Sequence, residues 1–127
     1  MEAFHEVADG SVTTPAGWSA CGIVAGLKRS GAPDLAMLAS DRPATVAAAF
    51  TANAFAAAPV QLDREVVAAG QPVRAVVINS GNANACTGER GLADAREMAR
   101  HAAALLKVQP AEVLVSSTGR IGVPMPM

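Results

Sequence analysis

The chain has 127 residues, and its ten lysine and arginine residues against eleven acidic residues give a formal net charge of −1. The two signs alternate along the sequence without a basic block, which argues against a nucleic-acid-binding protein. No apolar run reaches the roughly 18 residues that a transmembrane helix requires. We therefore expect neither nucleic acid nor membrane as a partner.

The first ten residues, MEAFHEVADG, are acidic and lack the basic and apolar regions of a signal peptide. Cys21 and Cys86 are the only cysteines, and we expect reduced thiols, small buried apolar side chains and a cytoplasmic protein. The length fits a single domain over residues 1–127. Hydrophobic residues make up 51% of the chain, mostly as small alanine and valine, so a partner surface is expected to complete the core.

In chain order, turn residues separate short apolar runs and two longer amphipathic stretches. DRPA at 41–44 is predicted to be a turn because of its proline. The order strands, helix, strand, helix, strand predicts an α/β or α+β fold with an antiparallel or mixed sheet. Strands are predicted at 18–27, 35–40, 45–51, 74–80 and 113–117, and helices at 58–70 and 89–107.

Both predicted helices carry end signals. Pro59 suits the first turn of the first helix and Gly70 suits the position after its end. Thr87 is the expected N-cap of the second helix. One apolar stripe with helical spacing runs along that second helix. Its members are Leu92, Ala95, Met98, Ala99, Ala102, Leu105 and Leu106.

The stretch NSGNANACTG at 79–88 directly follows the clearest apolar strand. Asparagine and glycine favour positive φ and local hydrogen bonds, so the stretch is readily explained as a structural connection. The alternative is an organised polar loop at the carboxyl end of a strand, where α/β proteins bind ligands. We expect it to be structural and close to a site, and assign Asn82 and Asn84 no direct catalytic role.

The stretch SSTGRIG at 116–122 follows the last predicted strand. It contains neither a Walker phosphate loop nor a dinucleotide-binding glycine pattern. It is either a tight turn or a site in which the Thr118 hydroxyl and the Gly119 backbone N–H act together. Paired donors of this kind stabilise the oxyanion that develops in acyl transfer. Thr118 and Gly119 are thus the candidate catalytic residues.

No nucleophile with its base is evident in the sequence. His5 lies near the N-terminus, and His101 is expected at the surface flank of the second helix. A zinc site would need clustered ligands, and neither C-x-x-C nor H-x-x-x-H occurs. An oxyanion hole without a nucleophile suggests that another chain supplies the attacking group. No metal or bound cofactor is expected.

Several stretches together resemble the N-terminal part of the alpha chain of the ornithine acetyltransferase (glutamate N-acetyltransferase) family of arginine biosynthesis. The resemblance covers nearly the whole chain, and its most specific motifs are NSGNANACTG and STGRIGVPMPM. The stretches lie at 12–38, 50–60, 76–99 and 112–127.

The resemblance implies an α/β sandwich similar to N-terminal-nucleophile hydrolases but connected differently. It implies a precursor that cleaves itself, and a threonine at the start of the beta chain, beyond Met127, that carries the acetyl group from N-acetylornithine to glutamate. Thr118 and Gly119 match the family's oxyanion hole. A heterotetramer of two alpha and two beta chains is expected, and acetyl-CoA is a possible second donor. A related aminopeptidase or amidase and a non-catalytic fragment are the alternatives.

Overall fold

The computed structural model describes residues 5–127. The first four residues, which belong to the acidic start that argues against a signal peptide, lie outside this range. Four strands and two long helices are present, with a short 3-10 helix at Pro110–Glu112. The strands are β1 (Trp18–Ile23), β2 (Leu35–Ala44), β3 (Val73–Asn82) and β4 (Val113–Arg120), and the helices are α1 (Ala58–Ala68) and α2 (Gly88–Leu106).

The four strands form one mixed sheet in the order β1-β2-β3-β4. β1 pairs antiparallel with β2, and β2 pairs antiparallel with β3. β4 pairs parallel with β3, because α2 carries the chain back before β4 begins. The expected α/β class with a mixed sheet and packed helices is confirmed.

Both helices pack on one face of the sheet. Strand residues that point to this face alternate along the sequence, as strand geometry requires. The contacts with α2 are made by small alanine side chains, which let the helix lie close to the sheet. The buried cluster comprises Ala58, Leu62, Ala75, Val77, Ala95, Met98, Ala99, Ala102, Ala103, Val113, Val115 and Met125.

The predicted helix ends are largely confirmed. Pro59 lies in the first turn of α1, and Gly70 follows its C-cap with a φ of 67°. Thr87 occupies the N-cap position of α2 but makes no side-chain capping bond. The predicted apolar stripe is wrong at Leu105, which is 78% exposed. Leu105 instead lines an open apolar pocket together with Ile23 and Met37.

Three predictions for the first half of the chain are wrong. Residues 45–51 form no strand, because nothing in the described sheet pairs with them and most of them are exposed. The predicted turn at 41–44 belongs to β2, whose pairing with β3 shifts register between Ala39 and Ala44. A proline is tolerated in a strand at such an irregularity. β1 ends at Ile23 instead of residue 27.

The sheet face opposite the helices, here called the helix-free face, is also apolar. Leu38, Val76 and Leu114 point to it and are half-buried, and Ile78 is 36% exposed. Strand alternation places these residues opposite the buried set, because Val77 and Val115 face the helices. Among residues 5–127, neither helix has the length and apolar character to cross a membrane.

Candidate functional site

The parallel pairing of β3 and β4 brings the two polar stretches of the sequence together. Carboxyl ends of parallel strands meet at the same edge of a sheet. Here Asn79 lies opposite Ser117, Ser80 opposite Thr118, and Gly81 opposite Gly119. The prediction that 79–88 and 116–122 follow strand ends needs one adjustment, since β3 continues to Asn82 and β4 to Arg120.

Thr118 lies on the helix-free face of β4. Val113 and Val115 are buried against the helices, so the alternate residues Leu114, Ser116 and Thr118 point the other way. The Thr118 side chain is exposed, and its hydroxyl forms no hydrogen bond within residues 5–127. This hydroxyl is therefore available to a group that approaches from the helix-free face.

Gly119 lies where β3 and β4 approach most closely. Its φ is 131°, a backbone conformation that residues with a side chain rarely adopt. A Cβ atom on Gly119 would lie 2.3 Å from the carbonyl carbon of Gly81. Arg120 accepts a hydrogen bond from the Ala83 N–H on the β3 side (2.9 Å), whereas the Val115 N–H donates outward to Asp63 (2.9 Å). Backbone groups alternate along a strand, so the Gly119 N–H faces the outer edge of β4.

The asparagines near the start of the 79–88 loop connect β3 to later parts of the chain. Asn79 is buried, and its Nδ2 donates to the Asn82 carbonyl at 2.7 Å. The Asn82 Nδ2 donates to the Val123 carbonyl at 3.1 Å, which holds the segment after β4. The Ser117 hydroxyl donates to the same Asn82 carbonyl at 3.1 Å. These contacts fix the position of the last residues of β4.

Asn84 organises the start of α2. Its Nδ2 donates to the Gly91 carbonyl at 2.7 Å, and its Oδ1 accepts from the Thr87 hydroxyl at 2.6 Å. The Thr87 backbone has a φ of −109° and a ψ of −1° instead of the extended conformation of a capping residue, which explains why its hydroxyl does not cap the helix. The Asn84 backbone N–H donates to the Ser117 hydroxyl at 3.0 Å. The asparagine-rich loop therefore connects β4 near Thr118 and Gly119 to the start of α2 through hydrogen bonds.

Asp63 on α1 lies at the outer edge of β4. Its Oδ1 accepts the Val115 N–H, a donor that would otherwise be unpaired on an edge strand. Burial raises the pKa of Asp63 to about 6, and the hydrogen bond from Val115 offsets part of that rise. No local pattern marks Asp63 as a site residue, because its contact with Val115 spans 52 positions.

The histidines and cysteines do not form a catalytic pair with any hydroxyl within residues 5–127. His101 is exposed, as expected, and contacts Glu97 at 2.9 Å. Hydrogen bonding from Arg100 lowers the pKa of Glu97 to about 2. Cys21 and Cys86 are exposed, so the expectation that they are buried is wrong. Cys21 lies on the outermost strand and Cys86 in a loop with a φ of 56°, so neither reaches the core.

Metal-ligating side chains are not clustered in this part of the molecule. Residues 5–127 contain no group of three histidine, cysteine or acidic side chains placed to hold an ion.

Residues 19–127 match the model of the ArgJ family. The chain belongs to the ArgJ family. It is 52% identical over 122 residues to the arginine biosynthesis bifunctional protein ArgJ of Caldanaerobacter subterraneus subsp. tengcongensis, covering 96% of this chain and 30% of that ArgJ. It is 51% identical to ArgJ of Thermus thermophilus, covering 92% of this chain and 31% of the relative.

Solved ArgJ structures share the fold. The crystal structure of the arginine biosynthesis bifunctional protein ArgJ from Bacillus halodurans superimposes with a TM-score of 0.88 and 43% identity, covering 93% of this chain and 61% of that one. The ornithine acetyltransferase of Mycobacterium tuberculosis, in complex with ornithine, gives a TM-score of 0.85 and 47% identity, covering 91% and 63%. The chain thus spans about a third of the length of its curated ArgJ relatives.

Proposed function

We propose that this chain is the alpha-side portion of an acetyltransferase of arginine biosynthesis that moves the acetyl group of N-acetylornithine to glutamate. Membership of the ArgJ family and the names of the relatives support acetyl transfer that involves ornithine, and the arginine pathway. The observation that carries the proposal is the position of Thr118 and Gly119, adjacent and exposed at the carboxyl end of β4. There they would form the oxyanion hole.

The proposed reaction proceeds in two halves. The hydroxyl of a threonine at the start of the beta chain attacks the acetyl carbonyl carbon, and its proton passes to a neighbouring base such as its own α-amino group. The carbonyl oxygen becomes an oxyanion, which accepts hydrogen bonds from the Thr118 hydroxyl and the Gly119 N–H. The C–N bond to ornithine breaks, ornithine leaves with the proton, and an acetyl ester remains.

Glutamate then completes the cycle. Its amine attacks the ester carbonyl, the oxyanion forms again in the same hole, and N-acetylglutamate leaves as the threonine regains its proton. Fixed donors contribute more here than in water because they need no reorganisation as charge develops. Gly119 would suit this role because its φ of 131° and the nearby Gly81 hold its backbone in one position. Acetyl-CoA is a second donor to be assayed.

The helix-free face supports the proposal that the beta chain is the partner. This face presents Leu38, Val76, Ile78 and Leu114, and Thr118 lies on it as well. Apolar faces of this kind are normally covered by a second layer. The relatives contain about twice as much further sequence from which such a layer would come. A layer over this face would bring its threonine to the Thr118 hydroxyl, and two such units would form the heterotetramer.

The proposal is tested by replacing the hydroxyl donor in the complete enzyme. Thr118→Ala should lower kcat for acetyl transfer about 100- to 1,000-fold, the usual loss for one oxyanion donor. Thr118→Ser should retain most of the activity because it keeps the hydroxyl. Ser116→Ala is the matched control, since Ser116 is exposed on the same face of β4. Wild-type turnover by Thr118→Ala would remove this residue from the mechanism.

Hydrolysis by a related amidase would use the same donors. The two activities separate when acetyl-ornithine is supplied with and without glutamate. Transfer to glutamate supports the acetyltransferase, while ornithine release that does not depend on glutamate supports hydrolysis.

A further inference from the structure

A basic cleft of about 460 Å³ opens at Gly81 and Arg120, which neighbour Gly119 across the sheet and along the chain. It lies between the loop after β1, the ends of β3 and β4, and the segment after β4. Its charged lining residues are Lys28, Arg29 and Arg120, and no acidic side chain lines it. A cluster of three cations is a local excess, because the whole chain carries a formal net charge of −1. We here call this feature the basic cleft.

No salt bridge within residues 5–127 engages the cations of the basic cleft, and only Lys28 lies near an ionised carboxylate, that of Asp34. The ion pairs within residues 5–127 involve other basic residues on β2 and α2. The Lys28 Nζ donates to the Pro33 carbonyl at 3.0 Å, which orients the ammonium group but leaves its charge in place. Arg29 and Arg120 are exposed, so their guanidinium groups are available to a ligand.

Buried Asp34 holds the loop that carries two of these cations. Its carboxylate accepts the backbone N–H groups of Ala25 (2.6 Å) and Lys28 (2.7 Å). Hydrogen bonds from these backbone groups lower the pKa of Asp34, so the carboxylate stays ionised and keeps the loop in place. The cations are therefore presented by a fixed backbone, which limits the entropy lost when a ligand binds.

Contacts between glycines link the basic cleft to the candidate oxyanion hole. A Cβ atom on Gly81 would lie 3.0 Å from the Lys28 Cγ, and one on Gly119 would lie 2.3 Å from the Gly81 carbonyl carbon. Lys28 thus leaves no room for a side chain at Gly81, and Gly81 leaves none at Gly119. Arg120 is the next residue after Gly119. Because Arg120 lines the cleft, it is the cation of the cleft nearest along the chain to the candidate oxyanion hole.

We infer that the basic cleft binds an anionic group, a carboxylate or a phosphate, of a substrate whose acetyl group is at Thr118 and Gly119. This inference rests on the proposed acetyl transfer. Arginine forks match carboxylate and phosphate oxygens, and three like charges repel the side-chain ammonium of ornithine. The possible sources are the α-carboxylate of either amino acid, the second carboxylate of glutamate, and the phosphates of acetyl-CoA.

The experiment compares kinetics of the complete enzyme with Arg29→Gln, Arg120→Gln and the double variant. The variants should raise KM for the substrate whose anion is bound by about tenfold per removed charge, which corresponds to about 1.4 kcal/mol. Arg29→Lys should restore most of the affinity because it keeps the charge. Arg42→Gln is the matched control, since Arg42 is an exposed arginine paired with Asp41 away from the cleft, and its KM values should equal those of the wild type.

The pattern of KM values identifies the anion. A rise for glutamate alone indicates its second carboxylate, a rise for both glutamate and N-acetylornithine indicates the α-carboxylate, and a rise for acetyl-CoA alone indicates its phosphates. Unchanged KM values for all three in the double variant would overturn the inference, while transfer by the wild type would leave the proposed function standing.

Calorimetric titration provides a readout that does not depend on turnover. The wild type and the double variant are titrated with glutamate, N-acetylornithine and coenzyme A. Weaker binding of at least one ligand by the double variant supports the basic cleft even if the wild type transfers no acetyl group. Identical isotherms for all three ligands would reject it. Each variant should unfold at the same midpoint temperature as the wild type. That result shows that both arginines act on the ligand and not on the fold.

Discussion

Replacing Gly119 with alanine tests how closely β3 and β4 approach at the candidate site. The added Cβ would lie 2.3 Å from the Gly81 carbonyl carbon, 2.6 Å from the Asn82 nitrogen and 2.7 Å from the Gly81 oxygen. All three are backbone atoms of the neighbouring strand, so no flexible side chain can move away. The two strands must separate locally for alanine to fit.

Two costs add in this variant. Overpacking against a fixed neighbour costs about 1–3 kcal/mol. Placing a non-glycine residue at a φ of 131° costs about a further 1–3 kcal/mol. We therefore expect Gly119→Ala to lower the free energy of unfolding by about 2–6 kcal/mol, the sum of the two ranges.

Gly31→Ala separates the two costs. Gly31 also has a positive φ, 71°, but a Cβ there would meet nothing within 4 Å, so only the backbone cost remains. Thermal unfolding should show a lower midpoint for Gly119→Ala, with a separation from Gly31→Ala of about 4 °C per kcal/mol. Equal midpoints for the two variants would refute the close approach of the strands. Acetyl transfer by Gly119→Ala should fall as well, since its N–H would move with the backbone.

Three further predictions concern the support of the site. Burial raises the pKa of Asp63 to about 6, above its usual value near 4. Between these two pH values the folded chain binds more protons than the unfolded chain, so the free energy of unfolding falls as the pH rises. Asp63→Asn should remove this fall in the free energy of unfolding, which is about 1 kcal/mol after allowance for solvent screening. If urea unfolding shows the same pH dependence for the variant and the wild type, the pKa argument is contradicted. Ala95→Leu should destabilise the protein by about 1–3 kcal/mol, because Ala95 is 0% exposed, whereas Ala104→Leu on the exposed side of α2 should have little effect on the urea midpoint. Asn84→Ala should lower the free energy of unfolding by about 1–3 kcal/mol in the same assay, since the Gly91 carbonyl and the Thr87 hydroxyl both lose their partner. A urea midpoint equal to that of the wild type would show that water replaces the amide.

The parts of the fold that were predictable from sequence have strong local signals. β3 is an apolar run bounded by polar residues, and α2 has an apolar stripe with helical spacing over about four turns. Both lie in the core, where burial and local preference favour the same structure. The position of Thr118 and Gly119 at the end of a strand was predictable for the same reason, since glycine and hydroxyl residues follow an apolar run.

The remaining features depend on contacts between distant residues. The run at 45–51 has strand composition, but a strand forms only where a neighbour is available to pair with it. β2 continues past Pro43 because β3 lies beside it and the register shift accommodates the proline. Asp63 and the basic cleft could not be predicted, because their partners come together only after α2 returns the chain to β4. Lys28 and Arg29 were visible as adjacent basic residues, but nothing local indicated that Gly81 lies beneath them.

The helix-free face also matters for how this protein is produced in the laboratory. A recombinant segment of residues 1–127, expressed without a covering layer, would present Ile78 and its apolar neighbours to other copies of itself, and precipitation would compete with correct assembly. Under the proposed function, coexpression with a beta chain would cover that surface during synthesis. Lysine or glutamate substitutions on the exposed strands would instead yield a segment amenable to solution spectroscopy, at the expense of the ability to assemble.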